Sequence, residues 1–317
     1  MKSARFSKYF PILDWLQGYG TESFVRDALA AVIVTLMLVP QALAYAMLAG
    51  LPAEVGLYAS MIPLVVYALF GTSATLAVGP VAVASLMTAS ALGGVAEVGS
   101  PEYVGAALVL ATLSGLVLFG MGLLRLGFLA NFLSHPVISG FVTASGILIA
   151  ASQVGKILGI ESGGNNLLEM GHSMWQTLGA TNLLTLLVGV GALAYLYLCR
   201  HYLKRLLARV GLSEKAADLI TKAAPVSAVI ITTVAAWFFN LGALGVALVG
   251  KVPAGLPSVG LPPLDSSLWA TLVPAAILIS LVGFVESVSV AQTLAAKRRQ
   301  RIDPNSELIA LGLANVG

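Results

Sequence analysis

The side chain with the clearest chemical potential in this sequence is the carboxylate of Glu286. It lies in LISLVGFVESVSVAQTLAA, well inside a long apolar segment. An ionised carboxylate at membrane depth is costly, so we expect it to be protonated, paired with a cation or facing water. Such a group can carry a coupling proton or bind Na⁺, with the adjacent Ser287 as a candidate helper. The alternative is a structural carboxyl that is hydrogen-bonded to a neighbouring helix.

A second candidate is an anion site at Val78-Gly79-Pro80-Val81-Ala82. Proline is tolerated in the first helical turn, so Pro80 predicts the start of a helix of about 15 residues. A helix N-terminus exposes unpaired N–H groups and carries about half a positive charge, which attracts an anion at mid-membrane. Gly79 permits close approach to the backbone, and Thr75 and Ser85 are candidate hydroxyl helpers. The alternative is a proline kink in an ordinary span.

Gln41 and Tyr45 form a third candidate, because they lie four residues apart on one face of a predicted helix. Pro40 removes a backbone hydrogen bond just before them, and Gly50-Leu51-Pro52 ends the helix after them. A polar amide at membrane depth beside a helix break indicates a site lining the pocket opposite the half-helix. The alternative is an ordinary interhelical hydrogen bond.

The sequence has little that favours an enzyme or a metal site. His135 precedes Pro136 and has no His, Cys or Asp at ligand spacing, so a hydrogen bond at a helix start is the expected role. An enzyme that uses Glu286 or His135 lacks a second catalytic group. The single cysteine, Cys199, excludes an intramolecular disulfide and a thiolate cluster. We therefore predict no catalytic residues, no metal and no bound cofactor.

Composition identifies the elements that must position these groups. The 317 residues are 58% hydrophobic and 10% charged, whereas soluble domains carry roughly 25% charged residues. The chain is therefore predicted to be an all-α integral membrane protein with many spans. Its net charge of +3 does not call for a nucleic-acid partner.

Apolar stretches long enough to cross a bilayer alternate with charged loops. The segment 71–97 differs, with an extended approach to mid-membrane followed by the half-length helix from Pro80. With a cytoplasmic N-terminus, every one of the 17 Lys and Arg residues falls on the inner side except Lys156 and Lys251. This predicts eight crossings and a ninth that begins at Glu307. The other predicted spans are 25–47, 54–70, 102–123, 128–152, 179–199, 222–243 and 268–295.

Four motifs in this order resemble those of the SulP anion-transporter family, the sulfate permeases and their relatives. PQALAYAMLAGLPAEVGLYAS is similar to the family signature, and the likeness continues through FGTSATLAVGPVAVASLM, GFLANFLSHPVISGF and VGFVESVSVAQTLA. The resemblance extends from near Asp14 to the C-terminus. It implies secondary active transport of a small inorganic or dicarboxylate anion, such as sulfate, bicarbonate or fumarate, coupled to H⁺ or Na⁺.

The resemblance also implies an architecture. Family members have two inverted repeats of seven segments, which form a core domain and a gate domain, and the anion lies between the half-helices of the third and tenth segments. We expect residues 1–24 to be a cytoplasmic N-terminal segment, 25–243 the first repeat and 244–317 an incomplete second repeat. A stop inside the ninth segment predicts a fragment without the family's C-terminal STAS domain. The resemblance further implies a homodimer in the inner (plasma) membrane.

Family roles map onto the same candidate residues. The first-segment glutamine and aromatic correspond to Gln41 and Tyr45, and the eighth-segment acid of cation-coupled members corresponds to Glu286. The aromatic that often follows the half-helix proline is Val81 in this chain, so a ring contact to the anion is not expected. Two other functions stay open: a nucleobase permease of the same fold, which the first-segment motif argues against, and a non-transporting membrane scaffold or sensor.

Overall fold

The computed structural model describes residues 10–16, 18–132, 135–160, 167–250, 255, 260–300 and 302–316, and this part of the chain is helical without strands. Five helical segments are long and apolar enough to cross a membrane when Ala53–Phe70 and Leu183–Arg209 are each counted as one segment, and three shorter apolar stretches lie at Ala82–Gly93, Gly146–Leu158 and Ala224–Phe238. Together they match the eight predicted crossings, with Ala82–Gly93 as the half-helix. The prediction of an all-α multi-span protein is confirmed.

We number the helices in chain order. Short 3₁₀ segments at Leu126–Phe132, Leu178–Ala180 and Leu241–Leu244 connect some of them, and a π-helical turn at Cys199–Leu203 joins α9 to α10. The helices are α1 (Ile12–Trp15), α2 (Thr21–Leu48), α3 (Ala53–Tyr58), α4 (Ile62–Phe70), α5 (Ala82–Gly93), α6 (Pro101–Leu123), α7 (His135–Leu158), α8 (Leu167–Thr177), α9 (Leu183–Leu198), α10 (Lys204–Arg209), α11 (Glu214–Lys222), α12 (Ala224–Phe238), α13 (Ser266–Arg298) and α14 (Pro304–Val316).

The chain folds into two compact units. The first contains Ala42–Thr143 together with the described residues before 22 and after 252, and therefore holds α3 to α6, α13 and α14. The second contains Glu22–Gln41 and Ala144–Val252, with α8 to α12. Each unit gathers segments that are distant in sequence.

In the first unit, α6 packs against both α13 and α14. Tyr67, Phe284 and Leu308 belong to one buried apolar cluster, and Leu92, Tyr103 and Leu272 belong to a second cluster, which holds the C-terminal end of α5. Small residues let the helices approach closely: a Cβ on Gly312 would lie 2.6 Å from the backbone nitrogen of Phe119. The packing therefore fixes α5, α13 and α14 around α6.

The predicted helix break at Pro40 is wrong, because α2 continues through this residue to Leu48. Proline removes one N–H donor, a loss that a long membrane-depth helix tolerates. The predicted end at Gly50 lies just beyond the last helical residue, Leu48, and the φ of 75° at Gly50 favours glycine. There the Tyr103 hydroxyl donates to the carbonyl of Ala49 at 2.7 Å.

Two other predicted spans have different boundaries. The span 54–70 is divided into α3 and α4, because Pro63 has no N–H to bond the carbonyl one turn earlier. The span 128–152 begins as a 3₁₀ segment, and its helix, α7, runs from His135 to Leu158. The backbone N–H of Gly127 donates to Asn305 Oδ1 at 2.9 Å, which ties this 3₁₀ segment to the start of α14.

Candidate functional site

The half-helix α5 begins at Ala82, two residues after Pro80. The prediction that Pro80 opens the helix is therefore slightly wrong, since Val81 is the N-cap with extended φ and ψ of −127° and 145°. Val81 provides no side-chain hydrogen bond to the first turn. Its carbonyl accepts the first helical bond, from the N–H of Ser85 at 3.0 Å. The N–H groups at the start of α5 are thus without helical partners.

This open start distinguishes α5 from α6 and α13, the helices that pack against it, although α3 and α4 in the same unit also have no side-chain cap. Ser100 accepts from the N–H of Tyr103 at the start of α6, and Asp265 accepts from the N–H of Ser267 at the start of α13. In the second unit, Asn182 caps α9 in the same way. Uncapped N–H groups and the helix dipole leave α5 able to hold an anion.

Four of the six predicted anion ligands, Gly79 to Ala82, are consecutive residues at this helix start. Ala82 and Ser85 are buried, and Thr75, Gly79, Pro80 and Val81 are half-buried. The approach 71–81 has no regular helix, as predicted. Its residues alternate, with Leu76 and Val78 packed on the apolar cluster and Ala77 exposed between them.

Gln41 and Tyr45 lie one turn apart on α2, but the boundary between the two units passes between them. Tyr45 is half-buried in the first unit. Gln41 is exposed and belongs to the second unit. The roles of both residues as anion ligands stay predictions.

Glu286 lies away from the packed face of its helix. The buried stripe of α13 includes Ser280, Phe284 and Val288, and a residue two positions from Phe284 or Val288 points roughly 200° away. Glu286 is half-buried, and its Oε2 atom is enclosed with no hydrogen-bond partner among the described residues. Ser287 is also half-buried. The alternative role, a structural carboxyl hydrogen-bonded to a neighbouring helix, therefore has no support at Oε2.

A second carboxylate, which we did not predict as a site residue, is more deeply buried. Glu307 in the first turn of α14 has no exposed surface. Its Oε1 accepts from the backbone N–H of Thr72 at 2.8 Å, from the Thr72 hydroxyl and from the N–H of Ser73 at 3.1 Å. Its Oε2 accepts from the Tyr67 hydroxyl at 2.6 Å. This carboxylate is thus bonded to the end of α4 and the start of the extended segment.

Part of this arrangement had a local signal. Asp303-Pro304 is typical of a helix start, and a glutamate in the first turn is favoured by the helix dipole. That pattern predicts an exposed carboxylate as readily as a buried one. Burial and the partners from residues 67 to 73 follow from the packing of α14 on α4.

Other features of the described residues do not add to this site. A cavity of about 160 Å³ in the second unit has an almost wholly apolar lining, which offers no group for an anion. No three His, Cys, Asp or Glu side chains in the described part of the chain come together as metal ligands. The side chain of His135 lies outside the described residues. The cavity is lined by Leu29, Val32, Ile33, Leu36, Ile220 and Ala223.

Comparison with known proteins gives a consistent result. The model of the sulfate permease family matches residues 24–317. The chain is 39% identical over 310 residues to a chloroplastic protein of Arabidopsis thaliana named sulfate transporter 4.1, and the match covers 97% of this chain and 44% of that protein. The chain spans about half the length of the curated relatives it matches.

Two solved structures share the fold. The structure of SLC26A9 matches with a TM-score of 0.86 and 25% identity, over 99% of this chain and 50% of that one. The transmembrane domain of the cyanobacterial bicarbonate transporter BicA matches with a TM-score of 0.74 and 20% identity, over 94% of this chain and 72% of that one. At such identity the second match concerns the fold alone.

Proposed function

We propose that this chain, which belongs to the sulfate permease family, contributes one half-site of a secondary transporter for a small anion. The family and the matched relative are transporters and not enzymes, in agreement with the sequence-based prediction. The observation that carries the proposal is the uncapped start of α5, held inside a packed unit. A positive helix end of this kind attracts an anion without a basic side chain.

The anion that we propose is sulfate, bicarbonate or a fumarate-like dicarboxylate. The matched relative is named for sulfate and one structural neighbour for bicarbonate. A site built from backbone N–H groups recognises charge and size with few side chains, which suits a small anion. We propose Gln41 and Tyr45 as further anion ligands, beside Gly79, Pro80, Val81 and Ala82.

We propose that H⁺ or Na⁺ is the coupling ion and that Glu286 binds it. An enclosed carboxylate oxygen without a partner supports this role, because binding of a cation or proton would remove an uncompensated charge. A neutral first unit crosses a low-dielectric gap more readily than a charged one. In this proposal the first unit is the mobile core and the second unit the gate.

The chain is a multi-pass membrane protein. We propose the inner (plasma) membrane as its location, with a cytoplasmic N-terminus, and a homodimer as the assembled form. The distribution of Lys and Arg supports the orientation, since all but Lys156 and Lys251 fall on the inner side.

The test is an uptake screen in proteoliposomes that contain the full-length protein, with labelled sulfate, bicarbonate, fumarate and uracil, each with and without a pH or Na⁺ gradient. We expect saturable uptake of one or more of the three anions, accelerated by one gradient. Uptake of uracil alone would indicate a nucleobase permease. Absence of uptake together with absence of binding would indicate a scaffold or sensor, and either result would overturn the proposal.

A further inference from the structure

The buried carboxylate of Glu307 connects two parts of the first unit that are far apart in sequence. Glu307 lies in the first turn of α14, and its hydrogen-bond donors belong to the end of α4 and to Thr72 and Ser73 in the extended segment that follows. Both oxygens are engaged, and the side chain is fully buried. A carboxylate in this condition stabilises the groups around it and, with no exposed surface, is not directed at a ligand.

Further contacts fix the same point of the chain. The Thr72 hydroxyl, which donates to Glu307, also accepts from the N–H of Asp303 at 3.3 Å. The Ser73 hydroxyl accepts from the N–H of Leu76 at 3.3 Å, which shapes the first turn of the segment. Gly71 permits this close packing, since a Cβ there would lie 2.7 Å from the Tyr67 ring.

The segment that starts at this point leads directly to the anion site. From Ser73 the chain passes Leu76 and Val78, which pack on the apolar cluster that contains Leu308 of α14. It then reaches Val81, the N-cap of α5. An extended chain has no internal hydrogen bonds to fix its position, so its ends and its packed side chains must do so. Helix α14 holds the start of the segment through Glu307 and contributes Leu308 to the cluster on which Leu76 and Val78 pack.

We propose that Glu307 is a positioning residue for the anion site. By anchoring Thr72 and Ser73, its carboxylate determines where the extended segment enters the unit and therefore where the first N–H groups of α5 lie. Glu307 does not touch the anion in this proposal and does not carry the coupling ion. The proposal rests on the proposed function, because it assigns the start of α5 as the anion site.

Variants of Glu307 separate this positioning role from a coupling role and from a purely structural role. Glu307→Leu removes both acceptor oxygens, whereas Glu307→Gln keeps one oxygen for Thr72 and Ser73 and an amide group that can donate to the Tyr67 hydroxyl. A positioning role therefore predicts rescue by glutamine. A coupling role requires an ionisable group, and glutamine would then be as damaging as leucine. Glu102→Leu is the matched control, because Glu102 is also in the first turn of its helix but is exposed.

The experiment measures anion uptake and hydrogen exchange on the same purified, reconstituted protein. For Glu307→Leu we expect KM for the transported anion to rise roughly tenfold to 100-fold, as when a binding group shifts by about 1 Å. Glutamine should keep KM within about threefold of wild type, since neutral acceptors replace charged ones at modest cost. Exchange of the amides in residues 71–81 should be faster in Glu307→Leu and unchanged in Glu102→Leu.

A purely structural role would lower the yield of folded protein and leave the KM of the folded fraction unchanged, which would overturn the proposal. An equal rise in KM in Glu307→Gln and Glu307→Leu would also overturn the proposal. If Glu307→Leu does not fold, Thr72→Val replaces it in the test, because this variant removes one donor to Glu307 and should raise KM. Thr72→Ser keeps the hydroxyl and should keep the wild-type KM. If wild type transports no anion, the proposed function fails, and faster exchange of residues 71–81 still supports the anchoring by Glu307.

Discussion

Two glutamates on the consecutive helices α13 and α14 have opposite surroundings. Glu307 is fully buried and receives hydrogen bonds on both oxygens, whereas Glu286 is half-buried with one enclosed oxygen that has no partner. Both residues lie in apolar segments of similar appearance. In the proposed roles, burial alone does not separate a coupling carboxylate from an anchoring one. The supply of donors does, because a satisfied carboxylate is part of the scaffold and an unsatisfied one can bind a proton or cation.

The largest effect expected from this comparison is on coupling. Glu286→Gln should abolish gradient-driven accumulation of the anion, because the amide cannot bind H⁺ or Na⁺ as the carboxylate does. Anion affinity should change by less than about fivefold, which corresponds to about 1 kcal/mol. Uptake with and without each gradient, together with equilibrium binding, measures both quantities. Unchanged pH and Na⁺ dependence in this variant would contradict the coupling role.

The next effect is on stability, where the two glutamates should behave in opposite ways. Glu307→Ala leaves two hydroxyls and two backbone N–H groups without their acceptor, which should lower the free energy of unfolding by about 3 to 5 kcal/mol. Glu286→Ala removes an unsatisfied buried oxygen and should leave stability unchanged or raised. Thermal unfolding of both variants in the same detergent tests the comparison. Similar decreases in stability in Glu307→Ala and Glu286→Ala would contradict the comparison.

A smaller effect separates the charged hydrogen bond from an uncharged one. Tyr67→Phe deletes a donor to the Glu307 carboxylate, and Tyr103→Phe deletes a donor to the Ala49 carbonyl at nearly the same distance. Both rings are buried and remain so. We expect the free energy of unfolding to fall by about 2 kcal/mol in Tyr67→Phe and by about 1 kcal/mol in Tyr103→Phe, because a charged acceptor strengthens the hydrogen bond. Equal decreases, measured by unfolding, would contradict this difference between the two acceptors.

The smallest effect belongs to an exposed carboxylate outside the membrane spans. The hydroxyl and then the backbone N–H of Ser267 hold the pKa of Asp265 below its ordinary value of 3.8. Because the folded-state pKa is lowered, ionised Asp265 stabilises α13 above the unfolded-state pKa, and this stability is lost as the pH falls through the folded-state pKa. The Asp265→Asn variant should lack this pH-dependent contribution to stability. Unfolding temperatures between about pH 3 and 7 would show the difference, and identical pH profiles would refute it.

Several features were predictable because their signals are local. Gly79 and Pro80 interrupt an apolar run, and this pattern was sufficient to predict a half-helix, although its start lies two residues later than expected. The same local reasoning failed at Pro40, where the surrounding helix is long enough to continue through a missing donor. At Pro63 the opposite occurred, and a span predicted as continuous is divided. Proline indicates a lost hydrogen bond, and the packing decides whether the helix stops.

The sequence by itself determined the membrane class, the order of the spans, the half-helix and the family, because hydropathy, helix-start residues and motifs act over short stretches. It also singled out Glu286 from its position in an apolar run. Only the tertiary structure decided that Glu307 is a buried anchor, since its donor Thr72 lies 235 residues away along the chain. Hydrogen bonds between such distant residues depend on helix packing. No local pattern distinguishes a carboxylate that finds its donors from one that does not.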